Sequence, residues 1–236
     1  MDQPPAIRTE RLSLRIGSVR IVDEVSLSVR EGEFLVVIGP NGAGKTTLLN
    51  LLSGVAQATG GQIFLREREI TRTPIYERAR LGLGRTFQTS SIFGALPVLE
   101  NVRLAVAGDD VGRARAALEE VGLSARADLP ASSLSHGEKR KLDLAIVIAM
   151  EAKVVLLDEP TAGMAVEDTP EIVALLRRMH EERGSTIVMV EHRLDLIEGL
   201  ADRMAVMHHG SLLAVDTPER VIANETVQAA YLGDPL

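Results

Sequence analysis

The residues best suited to chemistry stand in Gly39-Pro40-Asn41-Gly42-Ala43-Gly44-Lys45-Thr46-Thr47. Glycines at this spacing let the chain turn tightly, so that successive N–H groups can point at phosphate oxygens. A lysine and a hydroxyl then follow. Lys45 can reach the β- and γ-phosphates, and the Thr46 hydroxyl can ligate Mg²⁺. A second cluster is Asp158-Glu159, adjacent acids after the apolar run Val154-Val155-Leu156-Leu157. Beside a phosphate loop, Asp158 can hold Mg²⁺ through its hydration shell, and Glu159 can polarise an attacking water as general base. Without the loop, a strand ending in acids is as often an ordinary surface turn.

The surrounding sequence supplies elements to position these groups. Phe34–Ile38 is an apolar run before the glycine loop, and Leu48–Ser53 with Gly54 reads as a helix with a glycine stop. Strand, loop and helix is the order a phosphate-binding loop requires, and the helix N-terminus adds its positive end to the same point. Leu35–Ile38, Val154–Leu157 and Ile187–Val190 are continuous apolar runs, the pattern of parallel strands buried on both faces. Ligands of such sheets bind beyond the carboxyl ends of the strands. Residues 11–29 read as strands, with Val19, Ile21, Val25, Leu27 and Val29 on odd positions, and Gln62–Leu65 as another. This predicts a small antiparallel layer beside a parallel core.

The segment from about 92 to 150 reads as mainly helical. Ala114–Val121 ends at Gly122, and Ser135-His136-Gly137-Glu138 fits a capping box opening a widely buried helix. Thr169-Pro170-Glu171 and Thr217-Pro218-Glu219 read as N-cap, N1 proline and acidic first turn. Met204–Met207 and Leu212–Val215 flank His208-His209-Gly210-Ser211 as a hairpin.

The net charge of −7 argues against a partner held by its phosphate backbone, so no nucleic acid is expected. The absence of cysteine excludes disulfides and thiolate metal sites and fits a reducing compartment. The first residues lack a basic region followed by an apolar core, and no apolar run approaches the roughly 20 residues of a membrane span. The expectation is a cytoplasmic protein that reaches a membrane only by docking to other subunits.

With these motifs in place, the chain resembles the ATP-binding-cassette ATPase family across almost its full length. Gly39–Thr47 matches the Walker A loop, and Val154–Glu159 the Walker B strand with its catalytic glutamate. Leu134-Ser135-His136-Gly137-Glu138 resembles the signature sequence, usually Leu-Ser-Gly-Gly-Gln. Gln88, in Arg85-Thr86-Phe87-Gln88, matches the Q-loop glutamine, and His192, after Val188-Met189-Val190-Glu191, the switch histidine. The resemblance implies an α/β P-loop NTPase of the cassette fold. It would form one domain over residues 5–236, with a RecA-like, mainly parallel sheet core. An antiparallel β subdomain (about 5–33 and 58–72) and a helical signature subdomain (about 89–150) would complete it.

The resemblance also implies a mechanism. Such ATPases bind two ATP molecules between head-to-tail subunits, so the partner would be a second ATPase subunit, identical or a paralogue. Residues 39–47 would hold ATP, with Mg²⁺ near Thr46, Gln88 and Asp158. Ser135, His136 and Gly137 would close on the nucleotide of the other subunit. His192 would contact the γ-phosphate and orient Glu159 and the water, and Gln88 would relay the state of the site to a permease. Departures concern three places. His136 and Glu138 replace the usual glycine and glutamine. Ile16 and Val22 stand in the region where the family often has an adenine-stacking aromatic, and would give adenine apolar contact without stacking. Thr161–Ala165 lacks the common D-loop aspartate, although Glu167 and Asp168 follow.

The segments 81–88, 91–93, 98–102, 191–196, 199–203 and 230–233 resemble ATPase subunits of branched-chain amino acid importers, a pattern shared with urea and short-chain amide importers. This implies transmembrane permease subunits, indirectly a solute-binding protein, and a peripheral place at the cytoplasmic face of the inner or plasma membrane. An exporter or lipid-transport ATPase, or a soluble ATP-switched assembly module, are the alternatives.

Overall fold

The structure, a computed structural model, describes residues 5–89, 91–164, 167, 169–193, 196 and 199–233. Ala165 and Asp168 of the D-loop region, and Leu194 and Asp195 after the switch histidine, lie outside the described residues.

The chain opens with antiparallel structure: β1 (Pro5–Ile16), β2 (Val19–Val25) and β3 (Ser28–Arg30). Leu12 pairs with Val25 and Leu14 with Val22, so β2 spends one residue more than β1 between these pairs. Glu24, at φ 51°, lies in this bulge. The extra residue corrects the odd-position reading of the strand: Val22 and Val25 both face the core, while Val19 is 58% exposed.

Next come β4 (Phe34–Ile38) and α1 (Lys45–Ser53), followed by β5 (Gly60–Leu65) and β6 (Arg68–Glu69), which return to the antiparallel sheet in the order β2-β1-β5-β6, with β3 beside β1. Helix α1 stops at Gly54 (φ 83°). Arg78, in α2 (Ile75–Arg80), donates to the helix-end carbonyls of Leu51 (2.7 Å) and Leu52 (2.8 Å), a cation where the helix dipole favours one.

A short strand that the sequence did not announce, β7 (Leu83–Arg85), precedes α3 (Val98–Arg103), α4 (Val111–Glu120) and α5 (His136–Ala149). The capping box at Ser135 is present, and α5 is buried through Leu142, Leu144, Ala145, Val147, Ile148 and Ala149. The chain then runs through β8 (Val154–Asp158), α6 (Thr169–Glu181), β9 (Thr186–Val190), the hairpin β10 (Arg203–His208) and β11 (Ser211–Asp216), α7 (Pro218–Ile222) and α8 (Glu225–Gly233). Thr217 stands at the N-cap position of α7 with Pro218 at its start, as the sequence predicts, although its side chain makes no capping hydrogen bond. Thr169 differs: it is already helical, not the residue before the helix.

The second sheet has the order β11-β10-β4-β9-β8-β7, parallel except at the β10–β11 hairpin. Its central strands β4, β9 and β8 carry continuous apolar runs because each face meets a different core. Phe34, Val36 and Ile38 of β4, with Val155, Leu157, Ile187 and Met189, pack among α3 to α6. Leu35 and Val37, with Val154, Leu156, Val188 and Val190, pack against α1 and the antiparallel sheet. This brings the carboxyl ends of β4, β9, β8 and β7 side by side. Among the described residues no helix is long and apolar enough to cross a membrane.

Candidate active site

The four neighbouring strand ends deliver the predicted groups to one place. The loop after β4 carries Lys45, the end of β8 carries Asp158 and Glu159, His192 lies two residues beyond β9, and Gln88 lies three beyond β7. Asn41 to Thr47, Gln88, Glu159 and His192 line one cavity of about 410 Å³.

The loop is fixed by its glycines. Gly44, at φ 96°, would place a Cβ 2.6 Å from the Ile21 carbonyl oxygen, and Gly39, at φ 151°, one 2.2 Å from that of Met207. Side chains are therefore excluded at both positions. Helix α1 has no side-chain cap and no acid in its first turn, unlike α5 with its capping box. Its first N–H groups, which have no partner within a helix, face the loop as an anion site.

Lys45 is 6% exposed, and its ammonium donates to the carbonyls of Gly39 (2.7 Å) and Pro40 (2.9 Å). Burial pushes its pKa down, while Glu159 and Asp158 pull it back up. A buried cation satisfied by neutral carbonyls, beside an uncapped helix start, suits a polyphosphate.

Asp158 is 1% exposed. Its Oδ1 accepts from the Thr46 hydroxyl at 3.1 Å, and its Oδ2 lies 3.5 Å from Arg85 Nη2. Burial pushes its carboxyl upward, opposed by the Thr46 hydrogen bond and by the Arg85 and Lys45 cations. A carboxylate touching the loop threonine is the pair of oxygen donors that Mg²⁺ coordination beside a nucleotide needs.

Glu159 has a left-handed backbone, φ 48°, and its N–H donates to the Val190 carbonyl at 3.0 Å. Its Oε1 is 2.7 Å from His192 Nε2, and its Oε2 accepts from Gln88 Nε2 at 3.1 Å. One carboxylate is thus gripped on both oxygens over the mouth of the loop.

The signature residues are placed differently. Ser135, His136 and Gly137 do not line the loop cavity; His136 lines a second cavity of about 420 Å³, which also touches Gln88. The Ser135 hydroxyl accepts from the Glu138 N–H (3.2 Å), and Glu138 accepts from the Ser135 N–H (2.8 Å) and from Arg126 Nε (3.0 Å). These contacts, the Ser135 N–H first, hold the Glu138 carboxyl below its ordinary value. Glu138 therefore turns back on its own helix.

Of the two residues expected near adenine, Ile16 is 66% exposed but Val22 is fully buried in the core behind the loop. The bulge at Glu24 moves Val22 inward, so it offers adenine no surface. Ile21, its neighbour, lines the loop cavity instead. Sequence reasoning missed Ile21, and also Arg85, a guanidinium against Asp158. The signal for Arg85 was a basic residue ending a short apolar stretch, Leu83-Gly84-Arg85.

A sequence profile described as ABC transporter matches residues 22–162. The chain belongs to that family. The ATP-binding protein LivG of high-affinity branched-chain amino acid transport in Salmonella typhimurium is 36% identical over 98% of both chains. BraF of Pseudomonas aeruginosa, of the same description, is 34% identical with the same coverage. A solved ATP-binding cassette of an ABC transporter, in its ADP conformation, superposes with a TM-score of 0.88 at 28% identity, covering 98% of this chain and 99% of that one. This chain is thus a nucleotide-binding ABC ATPase, the ATP-hydrolysing subunit of a transporter, similar in sequence to ATP-binding proteins of branched-chain amino acid transport.

Proposed function

We propose that this chain powers import of branched-chain amino acids or of related amide or urea solutes, as a peripheral subunit at the cytoplasmic face of the membrane. The observation that carries the reading is Glu159, held by Gln88 and His192 above Lys45 and Thr46, in a chain matching LivG from end to end. In this reading the residues from Gly39 to Thr47 wrap the phosphates of ATP, and Lys45 exchanges loop carbonyls for β- and γ-phosphate oxygens. Thr46, Asp158 and Gln88 would hold Mg²⁺, which would neutralise charge on the phosphate oxygens. Glu159 takes a proton from the attacking water while His192 fixes its carboxylate from the other side.

The separation of Ser135, His136 and Gly137 from the loop cavity supports a site completed by a second subunit, identical or a paralogue. The helical segment of about residues 89–150 then faces permease subunits, and Gln88, at its root, relays the state of the site. A solute-binding protein would deliver the solute to the permease. The test is uptake in the protein's own host after deletion of its gene. Uptake of labelled leucine, or of urea or acetamide, should fall and return with the wild-type chain but not with Lys45→Ala. Unchanged uptake of all three, with a defect in lipid export instead, would overturn the importer reading.

A further inference from the structure

Arg85 ends β7, paired with Leu156 two residues before Asp158. Its side chain is 4% exposed, as deep as Asp158 at 2%. Three contacts fix the guanidinium. Nη1 donates to Ser53 Oγ at 2.5 Å, at the far end of the loop helix α1. Nη2 reaches Asp158 Oδ2 at 3.5 Å. The Phe87 ring lies 4.7 Å below its carbon, within cation–π range. Nε, also buried, has no partner among the described residues, so the group is held by its two terminal nitrogens and the ring.

This arrangement matters because Asp158 has two oxygens with separate duties. Thr46 donates to Oδ1. If that hydroxyl binds a metal ion through a lone pair, as the proposed function requires, it can still donate its one hydrogen to Oδ1, which fixes the carboxylate from one side only. A carboxylate turns easily about its last bond, which has a broad, two-fold profile. Arg85 on Oδ2 stops that turn from the side away from Thr46. Ser53 anchors the guanidinium to the same helix that begins with Lys45 and Thr46, so the carboxylate is registered to the loop it serves.

We propose that Arg85 is a positioning residue for the metal site: it holds Oδ2 of Asp158 so that Oδ1 stays aimed at the cation beside Thr46. It touches neither nucleotide nor metal, and works through Asp158 alone. The inference rests on the reading of Thr46 and Asp158 as the residues that hold the metal, Asp158 through its hydration shell.

The test uses the full chain, with Mn²⁺ as probe, followed by electron paramagnetic resonance in saturating ATP on a Glu159→Gln background. Arg85→Gln should raise the Mn²⁺ concentration for half-formation of the protein-bound complex by about 10–100-fold, the usual effect of losing a group that orients a metal ligand. ATP affinity in EDTA should change by less than about three-fold. Arg85→Lys, which keeps the charge but not the fork, should recover only part of the loss. Should Arg85→Gln fail to fold, Ser53→Ala, which frees Nη1 and leaves the ion pair, should give a smaller shift in the same direction. Equal Mn²⁺ affinity in the folded variants, or an equal loss of affinity in EDTA, would overturn the role of Arg85. No Mn²⁺ complex with the Arg85 chain would instead overturn the reading of Asp158 on which it rests.

Discussion

Replacing Glu159 by glutamine separates what this side chain does in the resting site from what it does in the reaction. The carboxylate has two neighbours, His192 Nε2 at 2.7 Å and Gln88 Nε2 at 3.1 Å. A glutamine keeps one acceptor and turns an NH₂ toward the other partner. At worst one hydrogen bond is mispaired, a cost of about 1 kcal/mol. The lost proton acceptor is worth more. General-base catalysis contributes about 10²–10⁴-fold, or roughly 3–5.5 kcal/mol at 1.36 kcal/mol per decade. The second effect exceeds the first by at least about 2 kcal/mol, so the variant should bind ATP and fail to cleave it. Steady-state phosphate release should fall at least about 100-fold. ATP affinity, measured by fluorescence titration of the same preparation, should stay within about five-fold. A kcat loss below ten-fold would remove Glu159 from the base role. A parallel loss of affinity and rate would mean that the two hydrogen bonds, and not the carboxylate's basicity, were what mattered.

Two further outcomes test neighbouring parts of the site. Ser135→Ala breaks the capping box of α5 and should cost about 1 kcal/mol, a fall of roughly 2–4 °C in Tm by calorimetry, while Ser135→Asn restores the midpoint because asparagine caps equally well; a Tm unchanged in Ser135→Ala would show that the cap contributes nothing. Glu191 is 4% exposed, and burial raises its carboxyl against the hydrogen bonds from the His192 and Arg193 N–H groups and from Thr161, so the folded chain binds more protons than the unfolded one above a pH of about 4.3. Its contribution to stability is present below that pH and is lost as pH rises through the raised value; Glu191→Gln should therefore gain Tm relative to wild type between pH 4 and 8, and parallel curves would refute this.

The parts of the fold that could be read from the sequence are those in which one local signal had one cause. Val154–Leu157 and Ile187–Val190 are unbroken apolar runs because alternate residues meet different cores. Ser135 and Glu138 form their box within one turn. What escaped depends on contacts between distant segments. β7 has three residues, too few for any period, and is a strand only because β8 offers it an edge. The phase of β2 was misread because the extra residue near Glu24 is set by pairing with β1, which moved Val22 from a candidate adenine contact into the core and brought Ile21 to the cavity. The site shows the same division. Each of Lys45, Asp158, Glu159, Gln88 and His192 carries a motif, yet the grip on Glu159 joins residues 71 and 33 positions away. Arg85 lies within a motif and still had no assigned task, because its task exists only where Asp158 and Ser53 meet.

One contact ties α5 to the backbone beside Glu159. Arg140, one turn and a half into α5, is 5% exposed. Its Nη1 donates to the Phe87 carbonyl at 2.8 Å, its Nη2 to the Gln88 carbonyl, and Asp143 Oδ2 lies 3.7 Å from Nη1. The helix that begins at Ser135 is therefore fastened to the backbone of the very residue whose side chain holds Glu159. Hydrogen bonds to a charged group are worth about 1.5–3 kcal/mol each. Sliding α5 past Gln88 would break two of them and leave a buried guanidinium without those acceptors, a cost of at least about 3 kcal/mol. Shifting α5 and the Gln88 backbone together breaks neither. A displacement of this helix that kept both bonds would carry the Gln88 backbone with it, and the Gln88 amide is in turn bonded to the Glu159 carboxylate.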